Sequence, residues 1–297
     1  YPDLRKCLNL LQQHVTDQKL YPPTKEDVGT LEWKFEMVAL FRAGKIHDAR
    51  KLLCSKLRAD EVEEVYRWLY DNIEIFGGDE ESLGLAAKIV EVTGPDLLDI
   101  NFGCPVKKVA LKGAGAGVLR DIDLMVRLTD AVVRSTNLPV TVKTRLGWDD
   151  QTKNIEEVAE RLQDVGIQAL AIHGRTRTQM YKGEADWTLI GKIKNNPRIK
   201  IPIFGNGDID SPEKAKEYKN RYGIDGIMIG RAAIGYPWIF NEIKHFFATG
   251  EKLAAPDLTE RIAVTKKQLD FSIEWKGEKQ GILEMRRHYT NYFRGMP

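Results

Sequence analysis

From about Ile73 onward, short apolar or β-branched runs alternate with segments whose apolar residues recur at helical spacing, the rhythm of βα units and a parallel sheet. Six strands are predicted: Ile73 to Phe76, Leu97 to Phe102, Val140 to Arg145, Ala169 to His173, Ile201 to Phe204 and Gly226 to Ile229. One intervening helix has an apolar face of Ile155, Val158, Ala159, Leu162 and Val165, a capping-box pair in Asn154 and Glu157, and Gly166 to end it. Ser211-Pro212 opens another, closed at Gly223. Beyond Trp238 the pattern is helical throughout.

Residues 1–72 lack this rhythm. Leu4, Cys7, Leu8, Leu11 and Val15 follow helical spacing, as do Val62, Val65, Tyr66 and Leu69, and four helices are predicted. Trp33, Phe35 and Met37 alternate and offer a short strand as the alternative. Tyr21-Pro22-Pro23 separates two helices, and there is no internal repeat or low-complexity tract.

The strands from the second onward end abruptly in polar residues or glycine: Asn101-Phe102-Gly103-Cys104-Pro105, Lys143-Thr144-Arg145, His173-Gly174-Arg175, Gly205-Asn206-Gly207-Asp208 and Gly230-Arg231. Reactive groups gather at the carboxyl ends of strands in parallel α/β proteins. In an eight-stranded barrel the loops after the last two strands commonly hold a phosphate. Gly205, Asn206, Gly207 and Asp208, with Gly230, Arg231 and a helix starting near Ala232, fit that role. A pair of tight βα turns is the blander alternative. If those strands are the seventh and eighth, two are missing before Ile73. The expected fold is therefore α/β, an incomplete (β/α)8 TIM-type barrel with an N-terminal all-helical segment and C-terminal helices. The boundaries fall at 1–72, 73–247 and 248–297. The Gly113-Ala114-Gly115-Ala116-Gly117 run follows no strand and reads as a loop leading to a helix.

The 297 residues are 42% hydrophobic, enough for a sizeable core, and no apolar stretch approaches the ~20 residues of a membrane span. The first residues lack the basic and apolar regions of a signal peptide, so a cytoplasmic location without membrane association is expected. Cys7, Cys54 and Cys104 have no CxxC spacing and are odd in number, which argues against a disulfide framework or a zinc site. With 45 basic and 43 acidic residues, any nucleic-acid binding must come from a local patch. No HExxH or CxxC pattern occurs and no metal is expected.

Cys104 sits on a strand-end turn with no base beside it in sequence, which suits a proton donor; a nucleophilic thiolate is the competing role. Lys143 ends an inner strand and needs an anionic partner there. His173 is either a core histidine or a cofactor contact. Arg145, Arg175 and Arg177 crowd one rim, where phosphates are the expected partners.

These motifs together resemble the tRNA-dihydrouridine synthases, from about Ile75 to the end. The specific pieces are Asp99 through Lys108, Val142 through Trp148, His173 through Arg177, Tyr181 through Trp187, Gly205 through Ile209, and Gly230-Arg231 through Pro237-Trp238. The resemblance implies FMN-dependent reduction of uridine to 5,6-dihydrouridine in tRNA, with NADPH as electron source. It implies Cys104 as general acid and Lys143, His173, Asn206, Gly207, Asp208, Gly230 and Arg231 as FMN contacts. Asn101 and Arg177 would face the target uridine. Hydride would enter C6 of uracil while an acid protonates C5, within a pocket that reads an extruded base. Lys266, Lys267, Arg286 and Arg287 become candidates for phosphate contacts, against the alternative of a solvated helix face.

The chain departs from that pattern at its start. The family's first two barrel strands have no counterpart, Glu74 stands where the third strand normally offers a glutamine to the flavin, and the C-terminal helices are cut short at Pro297. Weak or absent FMN binding and impaired activity are expected. Tyr1 through Gln12 and the helices that follow resemble the C-terminal part of a sliding-clamp-loader small subunit, with a chimeric join at Ile73 to Glu81. The alternative functions are therefore a clamp-loader-type module that oligomerises through its N-terminal helices, or another FMN-dependent TIM-barrel oxidoreductase of the dihydroorotate type.

Overall fold

A computed structural model describes residues 15–16, 19–20, 33, 36–37, 39–40, 43, 45–56, 79–92 and 94–295. The chain divides into two compact units, Tyr1–Asp71 and Asn72–Pro297. In the first, β1 (Val15–Thr16) pairs antiparallel with β2 (Lys19–Leu20), and α1 spans Ile46–Lys56. Val15 is thus in a hairpin, not on the apolar face of a helix as its spacing predicts. Trp33 and Met37 are helical, so the strand alternative fails there; Phe35 lies outside the described residues. So do Leu4, Cys7, Leu8, Leu11, Val62, Val65, Tyr66, Leu69, the predicted strand Ile73 to Phe76 with Glu74, and the proposed join up to residue 78.

The second unit is built on a parallel sheet of five strands in sequential order: β3 (Leu98–Asn101), β4 (Val140–Arg145), β5 (Ala169–His173), β6 (Ile203–Asn206) and β7 (Gly226–Met228). In order along the chain, α2 (Glu80–Val92), α3 (Lys107–Ala110), α4 (Ile122–Ser135), α5 (Ile155–Val165), α6 (Thr188–Lys194) and α7 (Pro212–Tyr222) precede or connect the strands. A last group, α8 (Ile239–Thr249), α9 (Leu258–Lys276) and α10 (Glu278–Tyr292), closes the chain. Among the described residues the sheet is open, as an incomplete barrel requires. The predicted strand Ile201 to Phe204 is displaced by two residues, because Ile201 and Pro202 lead into the ladder that begins at Ile203.

Alternation along the strands sorts the residues onto two faces. Val140, Val142, Leu170, Ile172 and Ile203 are almost fully buried and join Leu128, Val132, Val158, Leu162 and Ile190 of the helices in one core. The other face carries the chemistry, in register: Asn101, Lys143, Ala171, Phe204 and Gly226 form one row across the sheet. Arg145, His173, Asn206 and Met228 form the next row, toward the strand ends.

Local signals act as expected at some helix ends and not at others. Ser211 caps α7 by accepting from the Lys214 N–H at 3.3 Å, with Pro212 in the first turn, and Gly166 ends α5 at φ 108°. The predicted capping box of α5 does not form. Asn154 instead donates through Nδ2 to the Leu119 carbonyl (2.9 Å), a tertiary contact, and Glu157 pairs with Arg161 at 3.1 Å. The helix expected near Ala232 is a single 3-10 turn, Arg231–Ala233, too short to present a sizeable dipole.

Trp187 anchors the sheet beneath the phosphate-type turn. It is 1% exposed, donates from Nε1 to the Gly207 carbonyl at 3.1 Å and meets the Tyr218 ring edge-on at 5.0 Å. Gly205 provides the room, since a Cβ there would lie 2.0 Å from Trp187 Cζ3. Replacing Gly205 by Ala should therefore lower unfolding stability by about 2–3 kcal/mol, as overpacking does. Urea denaturation followed by tryptophan fluorescence measures this, and an unchanged midpoint would show that the indole can yield.

Candidate active site

The turn after β3 is held from three sides. Asn101 Oδ1 accepts from the Gly103 N–H (3.0 Å), the Phe102 N–H donates to the Lys143 carbonyl (2.8 Å), and Arg145 Nε donates to the Gly103 carbonyl (2.8 Å). Cys104 follows, half-buried, and its carbonyl accepts from the Ala116 N–H at 3.0 Å. The loop can close this tightly because Gly115 has φ 53° and no side chain: a Cβ there would lie 3.0 Å from Cys104 Cβ.

Cys104 opens onto a cavity of about 950 Å³ at the carboxyl ends of the strands. The same cavity is lined by Asn101, Lys143, His173, Asn206, Gly207, Asp208, Gly230 and Arg231, so nine of the ten residues singled out in the sequence converge on it. The tenth, Arg177, does not line it. Its guanidinium rests on the ring of Trp148, 4.6 Å from the centroid.

The arginine-rich rim is not the phosphate cluster expected. Arg145 and Arg175 are each 2% exposed and are committed to the protein itself. Arg145 Nη1 donates to the carbonyls of Thr176 (3.1 Å) and Met180 (2.9 Å), tying the β5 loop to the β3 turn. Arg175 Nη2 donates to Asp208 Oδ2 (2.6 Å) and the Gly183 carbonyl (2.5 Å), and its Nε to the Lys182 carbonyl (3.2 Å). Asp208, in a left-handed conformation at φ 56°, also accepts from the Ala185 N–H (2.8 Å) and, on its other oxygen, from Arg231 Nη2 (2.9 Å). Burial raises the Asp208 pKa, but the Ala185 N–H and the Arg175 and Arg231 guanidiniums outweigh it and hold it below the ordinary carboxylate value.

Burial foremost, then the charges of Arg145, Lys143 and Arg175, pushes His173 down to about 3. The imidazole is neutral at physiological pH. Arginine can only donate, so Nε2, 3.3 Å from Arg175 Nη1, accepts, which places the ring proton on Nδ1. Lys143 is shifted below the usual lysine value, mainly by burial and then by Arg145. Its ammonium makes no hydrogen bond or ion pair among the described residues and stands over Gly103, whose missing Cβ would be 3.3 Å from Nζ. An ammonium half out of water without a partner marks a place for an anionic or strongly accepting ligand.

Tyr181 lines the same cavity, its ring flanked by Arg231 and Arg145 at 5.3 and 5.7 Å, and Arg294 reaches the cavity from beyond α10. Sequence reasoning named neither as a site residue; an exposed aromatic next to basic residues and glycine was the available signal for Tyr181. Lys266, Lys267 and Arg286 are exposed on α9 and α10, whereas the side chain of Arg287 lies outside the described set. No cluster of metal-ligating side chains occurs among the described residues, and no described helix is long and apolar enough to cross a membrane.

A parallel α/β sheet with a thiol, a lysine unpaired among the described residues and a glycine–arginine turn at one strand-end cavity defines an enzyme-type site. Comparison with known proteins gives the family. The model described as dihydrouridine synthase matches residues 36–297, and the chain belongs to that family. It is 45% identical over 226 residues to "tRNA-dihydrouridine synthase B" of Pseudomonas putida, covering 76% of this chain and 66% of that protein. The protein of the same name from Pseudomonas aeruginosa is also 45% identical over 226 residues, covering 76% and 68%. The "Probable tRNA-dihydrouridine synthase" of Rickettsia conorii is 39% identical over 262 residues, covering 88% and 76%. The chain thus spans about two thirds of the length of its Pseudomonas relatives. The family match begins at residue 36, ahead of the first motif read in the sequence, and runs through α1.

Two outcomes follow from the buried charges. Asp208→Asn leaves Arg175 buried without its counter-charge and should cost about 3 kcal/mol at neutral pH. Because the Asp208 pKa is lowered on folding, that difference should shrink as pH falls below the unfolded carboxylate value; a pH-independent difference would contradict the assignment. His173 is also depressed, so its contribution is complete above its unfolded value of 6.5 and is lost as pH falls toward 3. Stability should decline by up to about 1.4 kcal/mol per pH unit over that window, and His173→Asn should flatten the decline. Urea titrations at several pH values measure both.

Proposed function

We propose that this chain carries the catalytic sheet of a tRNA-dihydrouridine synthase, which reduces uridine in tRNA to 5,6-dihydrouridine with FMN at the strand ends and NADPH as the electron source, in the cytoplasm. The observation that carries the reading is the convergence of Cys104, Asn101 and Lys143 with Gly230 and Arg231 on one cavity. The names of the relatives favour this over a dihydroorotate-type flavin enzyme.

The donors present fit a flavin nucleotide. Gly230 has nothing within 4 Å of where a Cβ would stand, so its backbone is open to a phosphate, and among the described residues Arg231 Nε and Nη1 have no hydrogen-bond partner while Nη2 holds Asp208. Asn206 is fixed by donation from Nδ2 to the Met228 carbonyl at 2.7 Å, leaving Oδ1 to face the cavity as an acceptor. Lys143 brings positive charge to the row it shares with Asn101, three residues before Cys104, where a reduced anionic ring would require it. When bound, FMN supplies the hydride that adds to C6 of the uracil ring.

The chain's own residues supply the rest. As C6 gains hydride, electron density moves onto C5 and O4, and C5 must receive a proton. The Cys104 thiol holds that proton on a turn fixed by Asn101 and Arg145. Asn101, its Oδ1 engaged by Gly103, retains its amide donors for the base.

Cys104→Ala should retain FMN, read as flavin absorbance near ~450 nm on the purified protein. Its single-turnover formation of dihydrouridine on tRNA should fall by about 10²–10⁴, the usual contribution of a positioned acid. A variant as fast as the parent would remove Cys104 from the mechanism.

A further inference from the structure

Outside the cavity, the loops after β3, β4 and β5 bring three side chains together at the same end of the sheet. Trp148 has the guanidinium carbon of Arg120 at 4.4 Å from its ring centroid and that of Arg177 at 4.6 Å. Arg177 is fixed in place. Its own N–H donates to the Gly147 carbonyl and the Thr178 N–H to the Trp148 carbonyl, both at 2.9 Å, so the β5 loop is zipped to the β4 loop. Arg177 is 8% exposed, and its buried Nε and Nη2 have no acceptor among the described residues. Arg120 is exposed and ends a 3-10 turn, Gly115–Arg120, whose first residue packs against Cys104.

Two cations on one indole repel each other, and contact with the ring offsets only part of that. Among the described residues neither guanidinium forms an ion pair with a carboxylate, and Asp150, two residues beyond the ring, pairs instead with Lys153 at 3.2 Å. The buried, under-bonded guanidinium and the exposed one beside it call for an anion that no described residue provides.

The geometry points to a phosphate subsite here: we infer that Arg120, with Arg177 held against Trp148 as a second positive charge, binds a backbone phosphate of the RNA strand flanking the nucleotide that enters the cavity. The inference rests on the RNA-reductase reading above. The position selects this ligand. Arg231 and Gly230 stand at β7, at the far end of the strand order, whereas Arg120, Trp148 and Arg177 stand in the loops after β3, β4 and β5, the β3 loop being the one that carries Cys104, and none of the three lines the cavity. A strand that delivers a base to Cys104 passes this rim, and an aromatic ring between arginines suits unstacked single-stranded RNA.

The test uses the full chain loaded with FMN, a fluorescently labelled unmodified tRNA transcript, and the variants Arg120→Ala and Arg120→Lys, with affinity measured over a range of salt. Arg120→Ala should weaken tRNA binding roughly five- to tenfold and reduce the slope of log K against log salt by about 0.7–0.9, the signature of one lost phosphate contact. Arg120→Lys should keep the slope. Flavin content and the thermal midpoint should not change, and KM for tRNA should rise with kcat unaltered. Wild-type affinity and slope in Arg120→Ala, with tRNA still reduced by the parent, would overturn the subsite and leave the function standing. A rise in KM for NADPH instead would assign the rim to the reductant and equally overturn it. An FMN-loaded parent that neither binds nor reduces tRNA would overturn both.

Discussion

Two buried guanidiniums hold the strand-end face together. Arg145 and Arg175 lie where side chains of the inner face must either fill space or meet a ligand, and each donates to backbone carbonyls, with Asp208 as a further partner of Arg175. A charge in that position is costly unless its donors are answered. The answering groups come from the β3 turn, the β5 loop and the β6 turn, so the charges can be buried only when those three loops take one arrangement. That arrangement puts Cys104 on the cavity wall and Arg231 next to Asp208. The cavity wall is therefore organised by two of the residues that line it.

The same economy separates the roles of the cations. Arg145 and Arg175 are bonded to protein acceptors, Lys143 is half-buried and unpaired among the described residues, Arg231 is partly engaged, and Arg120 and Arg177 share one indole. Charge alone does not distinguish these six; the partners do. His173 illustrates the effect on chemistry, since burial amid positive charge keeps it neutral and so able to present an acceptor to Arg175 and a donor on its other nitrogen.

Much of this was legible from the sequence, because parallel strands announce themselves by apolar runs that end abruptly in polar residues. The five described strands of the large unit, the Cys104 turn and the gathering of Lys143, His173, Asn206 and Arg231 all follow from that rule and from the period of two. What was not legible depends on partners far along the chain. Arg145 reaches carbonyls 31 to 42 residues away, so its three strand-end neighbours in sequence could not reveal that it faces protein and not phosphate. Asn154 has the sequence of a cap but is drawn to Leu119 by packing. Gly205 reads as a flexible turn and is in fact the space for Trp187.

The most direct measurement is a crystal structure of the full chain grown with FMN. The account predicts the phosphate at the Gly230–Arg231 turn and the ring system across Lys143 and His173, with Cys104 Sγ facing it and the Arg145 and Arg175 contacts undisturbed. A flavin bound elsewhere, or one whose entry requires Arg175 to release Asp208, would contradict it.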